Sequence, residues 1–318
     1  VTFDPHPRSV HQPEVDLPLI TYLTDRLASL KDLGLDAVLV ITYTLDFAAQ
    51  SPQDFVRTWL EGLLGARAVV VGDDVRFGCR NSGDATTLEQ IGRDDGFEVE
   101  ILGEIRSGGG RRWSSTWVRQ CLGDGRVREA ADVLGRPHRL RGTVVHGRRR
   151  GRELGFPTAN LRFPKTPALS GIYATWVHGV FDQPWPSVSS FGTRPTVEGV
   201  EPLLEAHLFD FQGDLYGRHI DVEFVAKLRD EEKFASLEAL TAQMRQDADS
   251  ARQILADTRA DRPRDRDRDA QPRLARHGEP RAGNAEGQGP RQARDVVALG
   301  AGIRTEDQLG RPAVDQIG

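Results

Sequence analysis

The densest chemistry in the sequence lies between Gly142 and Asn160, which reads Gly-Thr-Val-Val-His-Gly-Arg-Arg-Arg-Gly-Arg-Glu-Leu-Gly-Phe-Pro-Thr-Ala-Asn. Gly142, Gly147, Gly151 and Gly155 let the backbone come close to a ligand, and successive N–H groups in such a stretch form a nest for an anion such as phosphate. Thr158 and Asn160 offer oxygen ligands of the kind a hard cation takes. Mg²⁺ in particular keeps part of its water and borrows phosphate oxygens. The same composition also suits a glycine-rich barrel loop whose arginines simply face water. The specific part is the ordered string Gly155-Phe156-Pro157-Thr158-Ala159-Asn160.

Elements must hold these residues. Asp36–Ile41, Ala68–Gly72 and Phe97–Ile101 are short apolar or alternating runs that read as strands, the first two as strands buried on both faces in a parallel sheet. Ser51-Pro52-Gln53-Asp54 is a helix start, with Ser as cap, Pro at the first position and an acid at the third. Phe55, Trp59, Leu60 and Leu63 follow at helical spacing. This order predicts a Rossmann-like α/β domain over residues 1–125. The character changes near residue 126. Val127–Leu134 reads as a helix, and Thr143–His146, Ile172–Val180, Leu203–Phe211 and His219–Phe224 read as strands, with a hairpin turn at Asp210–Asp214. Several short strands closed by a helix from Ser236 through Leu237, Leu240, Met244, Ala251 and Ile254 predict a small antiparallel barrel domain over 126–257. From about Thr258 to Gly318 apolar periodicity stops, and the Arg/Asp and Gly/Pro/Gln composition predicts a disordered tail.

Composition narrows the functions. The chain has 318 residues, room for two domains. Lys+Arg 42 against Asp+Glu 47 leaves a net charge of −5, which argues against a nucleic-acid binder working through a basic surface. No apolar run reaches the ~18–20 residues of a membrane span. Cys79 and Cys121 form no CxxC pair, which excludes a disulfide framework and a cysteine zinc site. The expectation is a reduced cytoplasmic protein with no membrane and no nucleic-acid partner; no oligomeric state is assigned.

Residues 1 to about 257 resemble the bacterial bifunctional riboflavin kinase/FAD synthetase family. The kinase half is carried by Gly155–Asn160, by Ser190-Phe191-Gly192-Thr193-Arg194-Pro195-Thr196-Val197 with Ser190 where Asn is usual, by Leu204–Phe211 with Gly213–Gly217, and by Lys227–Phe234. The resemblance implies a six-stranded barrel that moves the γ-phosphoryl of ATP to the 5′-hydroxyl of riboflavin, giving FMN. It makes Glu205 the general base, Thr158 and Asn160 the Mg²⁺–nucleotide ligands, and Gly142, His146, Gly147, Gly151 and Gly155 the nucleotide loop. Arg229 falls at the flavin end. A carboxylate suits the first role because a primary alcohol needs a positioned acceptor for its proton.

The other half resembles the FMN adenylyltransferase domain through Thr2-Phe3-Asp4-Pro5-His6-Pro7, Val71–Gly78 with Val75 where an aromatic is usual, and Ser114-Ser115-Thr116-Trp117-Val118-Arg119. In that string Ser115, Thr116 and Arg119 suit a triphosphate at a helix N-terminus, and plain helix capping explains the serines equally well. Relatives carry a Gly-x-Phe-Asp-Gly-x-His-x-Gly-His loop ahead of the Thr-Phe-Asp-Pro-His-Pro segment. This sequence holds no such string, so the expectation is an adenylyltransferase domain incomplete at its N-terminus and impaired in making FAD. The alternative is a non-catalytic flavin- or nucleotide-binding paralogue.

Overall fold

Short apolar runs become parallel strands in the first part of the chain. In the computed structural model, which describes residues 1–147, 151, 154–163, 167–196, 199–260 and 296–298, Thr2–Asp4 (β1) pairs in parallel with Val40–Thr42 (β2). Ala68–Gly72 (β3) pairs in parallel with Glu98–Leu102 (β4). Val69 and Val71 alternate inward and join Ile41, Phe55, Leu60, Leu88 and Ile91 in one core. The expected strand over Asp36–Ile41 is confined to its end, because its partner β1 is only three residues long.

Ser51 caps as expected: its Oγ accepts from Asp54 N at 3.1 Å and donates to the Asp54 carboxylate at 2.6 Å. The helix then winds as a π-helix over Val56–Leu63. The wider turn carries Leu63 off the buried face, where it is 58% exposed, against its expected place in the apolar stripe.

The tail reading needs correction. The closing helix spans Leu237–Ala260, and Val296–Ala298 (the last described strand, β11 below) adds to β3 in parallel, with Val296 opposite Ala68. The physical reason is that the edge of β3 offers unpaired N–H and C=O groups, and a β-branched Val-Val run is suited to take them. The Arg262–Asp269 run and the rest of the expected disordered tail lie outside the described residues.

Six strands close the barrel: Arg139–Val145 (β5), Ala159–Arg162 (β6), Gly171–His178 (β7), Trp185–Thr196 (β8), Gly199–Leu208 (β9) and His219–Arg229 (β10), in the order β10-β5-β6-β9-β8-β7. All pairs are antiparallel. Ile220, Val222 and Phe224 point inward as their alternation predicts, beside Leu140, Leu161 and Leu204. Thr175, Ser187 and Ser189, all buried, satisfy one another at 2.6 and 2.7 Å. Outside, Ile172, Trp176, Val188 and Phe209 are covered by Ala248, Ala251 and Leu255 of the closing helix. Its cap is Ser236, whose Oγ accepts from Ala239 N, but Leu237 is 64% exposed and leaves the expected stripe. The turn at Asp210, with φ 56°, is real; it is not a hairpin, since β9 pairs with β6 and β8 and not with β10.

Two compact bodies result. One holds Val1–Leu17, Leu23–Trp113 and β11 (Val296–Ala298); the other holds Pro18–Tyr22 and the described residues of 114–260. The division falls ahead of the expected 125/126 boundary because the helix Ser115–Gly123 buries Trp117, Val118, Cys121 and Leu122 in the barrel's core cluster.

Candidate active site

Alternation along β9 builds the site. Leu204, Ala206 and Leu208 enter the barrel core, so Glu205 and His207 between them share its outer face. Glu205 stands opposite Asn160 of β6 and opposite Ser190 of β8. A cavity of about 340 Å³ is lined there by Gly151, Thr158, Glu205, His207 and Arg229, with Met244 and Asp247 from the closing helix.

The approach to β6 is tightly turned. Gly151 O accepts from Leu154 N at 3.2 Å and from Phe156 N at 2.7 Å, and a Cβ on Gly151 would stand 2.3 Å from the Phe156 carbonyl oxygen. Asn160, 6% exposed, donates from Nδ2 to the Thr158 carbonyl at 3.1 Å. Its Oδ1 is buried and has no hydrogen-bond partner among the described residues. A buried acceptor left open is costly unless something else fills it. A Cβ on Gly147 would come within 2.7 Å of the same amide, so only glycine fits there.

Not every expected site residue joins this group. Gly142 lies against Leu161, where a Cβ would meet the leucine at 2.9 Å, so its role is packing. Gly155 serves a turn at φ 82°. His146 is exposed and packs on Tyr216 with ring centroids 3.8 Å apart and planes tilted by 36°, and it does not line the cavity. Arg229 does line it, but its guanidinium is held by the buried Asp247 carboxylate at 2.8–3.2 Å and lies over Phe234. Arg148–Arg150, Arg152, Glu153 and Val197 lie outside the described residues. The sequence reading missed His207 and Asp247; their only signal was shared strand face and helical spacing.

In the first body, a cavity of about 190 Å³ is lined by Phe3, His6, Tyr43, Phe47, Phe77 and two arginines, Arg26 and Arg76. Phe3, Tyr43 and Phe47 pack with centroids 5.4–5.7 Å apart. Arg26 donates to the Phe3 carbonyl at 3.0 Å, and burial lowers its pKa while Asp4 opposes that. Aromatic faces beside cations suit a planar ring that carries negative charge. His6 caps a short helix by accepting from Arg8 N. Tyr43 and Phe47 escaped the sequence reading, although they follow β2, and the carboxyl ends of parallel strands are where ligands bind. Ser115, Thr116 and Arg119 belong to the second body. Ser114 caps their helix, accepting from Trp117 N at 3.1 Å, and Arg119 Nε donates to the Pro18 carbonyl at 2.9 Å.

Comparison with known proteins matches both halves. A family model described as FAD synthetase covers residues 1–117, and one described as riboflavin kinase covers residues 134–255. The bifunctional riboflavin kinase/FMN adenylyltransferase of Escherichia coli K12 is 40% identical over 259 residues, 81% of this chain and 82% of that protein. The Pseudomonas fluorescens protein of the same name is 40% identical over 258 residues, 80% and 82% of the two chains. A crystal structure named as a macrolide-efflux protein from Streptococcus pneumoniae is 31% identical with a TM-score of 0.67, covering 79% of this chain and 82% of that one. Among the described residues no helix is long and apolar enough to cross a membrane. With 40% identity across four-fifths of its length and both enzyme domains present, the chain belongs to the bifunctional riboflavin kinase/FMN adenylyltransferase family.

Proposed function

We propose that residues 126–257 phosphorylate riboflavin with ATP at the cavity on the barrel's outer face, with Glu205 as general base. The observation that carries this is that Glu205 and Thr158 line one ligand-sized cavity, with Asn160 paired to Glu205 across the strands behind it. Glu205 takes the proton of the riboflavin 5′-hydroxyl as that oxygen attacks the γ-phosphorus and ADP departs.

The donors fit Mg²⁺. Thr158 Oγ1 and Asn160 Oδ1, which has no partner among the described residues, are hard oxygens, and among those residues no cluster of three His, Cys, Asp or Glu competes as a metal cage. Few protein ligands, completed by water and phosphate, are the usual Mg²⁺ arrangement. When bound, the ion neutralises phosphate charge; the chain's own part is to orient. Asn160 is fixed by its bond to the Thr158 carbonyl, and Gly147 leaves it room. Arg229, locked to Asp247, holds the closing helix to the end of β10 beside the flavin.

We assign the aromatic and cationic cavity of residues 1–125 to FMN, for adenylylation to FAD. This reading puts the enzyme in the cytoplasm, where its two free thiols stay reduced. Nothing in the residues or the comparisons favours the non-catalytic alternative.

The test is to incubate the purified chain with riboflavin, ATP and MgCl₂ and to resolve FMN and FAD by chromatography. FMN should form, and Glu205→Gln should slow it by ~10²–10⁴ while substrate binding persists. Equal turnover by the two proteins would remove Glu205 from the role.

A further inference from the structure

His207 is two residues beyond Glu205 on the same face of β9. Its Nδ1 lies 2.8 Å from the Pro157 carbonyl oxygen. A carbonyl oxygen only accepts, so Nδ1 carries the proton and donates. That carbonyl belongs to the peptide bond whose nitrogen is Thr158's, so the bond holds the peptide immediately before the nucleotide-ligand threonine. The Phe156 ring packs 5.0 Å from the imidazole and the Phe209 ring 5.9 Å from it. Burial holds the imidazole below its ordinary range; Arg252 adds to this, while the Pro157 carbonyl and Asp210 oppose it.

We infer that His207 is a positioning residue of the kinase site: it clamps the Phe156–Thr158 turn to the strand that carries Glu205, and so sets the spacing between the nucleotide ligands and the base. The inference rests on the kinase reading above. It explains a feature that reading leaves open. The turn is cross-bonded within itself through Gly151, but the His207 bond ties it to the opposite strand across 50 residues of sequence.

Two conservative variants separate this role from bulk packing. The amide nitrogen of Asn can stand where Nδ1 stands, whereas the longer Gln carries its amide nearer the Nε2 position. His207→Gln and His207→Ala should raise the KM for Mg²⁺–ATP by up to about tenfold, the scale of one lost hydrogen bond. His207→Asn should stay within about twofold of wild type. Riboflavin affinity, measured by fluorescence quenching without nucleotide, should be unchanged in all three. Equal damage from Asn and Gln, or an equal loss of riboflavin affinity, would overturn the inference. A readout independent of turnover is the imidazole ¹⁵N spectrum of the wild-type chain. A proton on Nδ1 is expected, and a proton on Nε2 alone would overturn the proposal whether or not FMN is made. Failure of the wild-type chain to make FMN would count against the kinase reading instead.

Discussion

Asn160 and Glu205 stand opposite each other in the antiparallel ladder of β6 and β9, and Glu205 lines the cavity together with Thr158, two residues before Asn160. The ligand oxygen and the base are thus spaced by strand pairing, the stiffest spacer a small domain has. A slip of one residue would turn Glu205 into the barrel core and bring Leu204 or Ala206 to the site, so register and chemistry are specified together.

Thr158→Ala removes a hydroxyl oxygen from the nucleotide side of the cavity. We expect the KM for Mg²⁺–ATP to rise by about tenfold, with riboflavin affinity measured without nucleotide unaffected. A parallel loss of both affinities would make Thr158 a structural residue.

Gly147→Ala puts a methyl group within 2.7 Å of the Asn160 amide. The amide must turn, so Mg²⁺–ATP binding should weaken while the melting temperature falls by no more than a few degrees. Isothermal titration with a non-hydrolysable nucleotide and Mg²⁺ reads the first effect, and calorimetry reads the second. Unchanged nucleotide binding would show that the Asn160 orientation is not critical.

His138 is fully buried, and neither ring nitrogen has a partner among the described residues. Burial, aided by Arg136, pushes its pKa from the ordinary 6.5 down to about 3. Between those values the unfolded chain holds a proton that the folded chain does not, so stability falls as pH falls from about 6.5 toward 3. His138→Leu removes this dependence. The melting temperature of the variant, relative to wild type, should rise steadily from pH 7 to pH 4. A difference that stays constant over that range would refute the assignment.

Ending the chain at residue 260 deletes β11. We expect faster amide hydrogen exchange along Ala68–Val70, which β11 pairs, and unchanged protection in the barrel strands. Equal protection of β3 with and without the segment would mean that this pairing adds nothing to stability.

Contiguous signals were readable in the sequence and dispersed ones were not. Ile220, Val222 and Phe224 announced a strand by alternation, and the Gly155–Asn160 string announced the nucleotide side of the site. β6 was hidden because it is four residues long and overlaps that string. β8 was hidden by Pro186 and Pro195, which count against a strand in local propensity but are tolerated in this barrel. The geometry of Arg229 is set by Asp247, a partner on another element that no local pattern names. The Pro157–His207 bond and the Phe3–Tyr43 contact are invisible for the same reason: each joins segments far apart in the chain.

The pairing of β3 with β11 bears on how the chain is made. A ribosome releases Ala68–Gly72 well before its partner strand Val296–Ala298. Throughout the intervening translation that edge waits for β11, while every strand of the barrel emerges ahead of it. Nascent-chain folding is thus inverted for this protein: the later-encoded barrel can close before the earlier-encoded sheet is complete. The waiting edge is a template for any extended segment nearby, which makes the interval before β11 emerges the time when chaperone protection matters most.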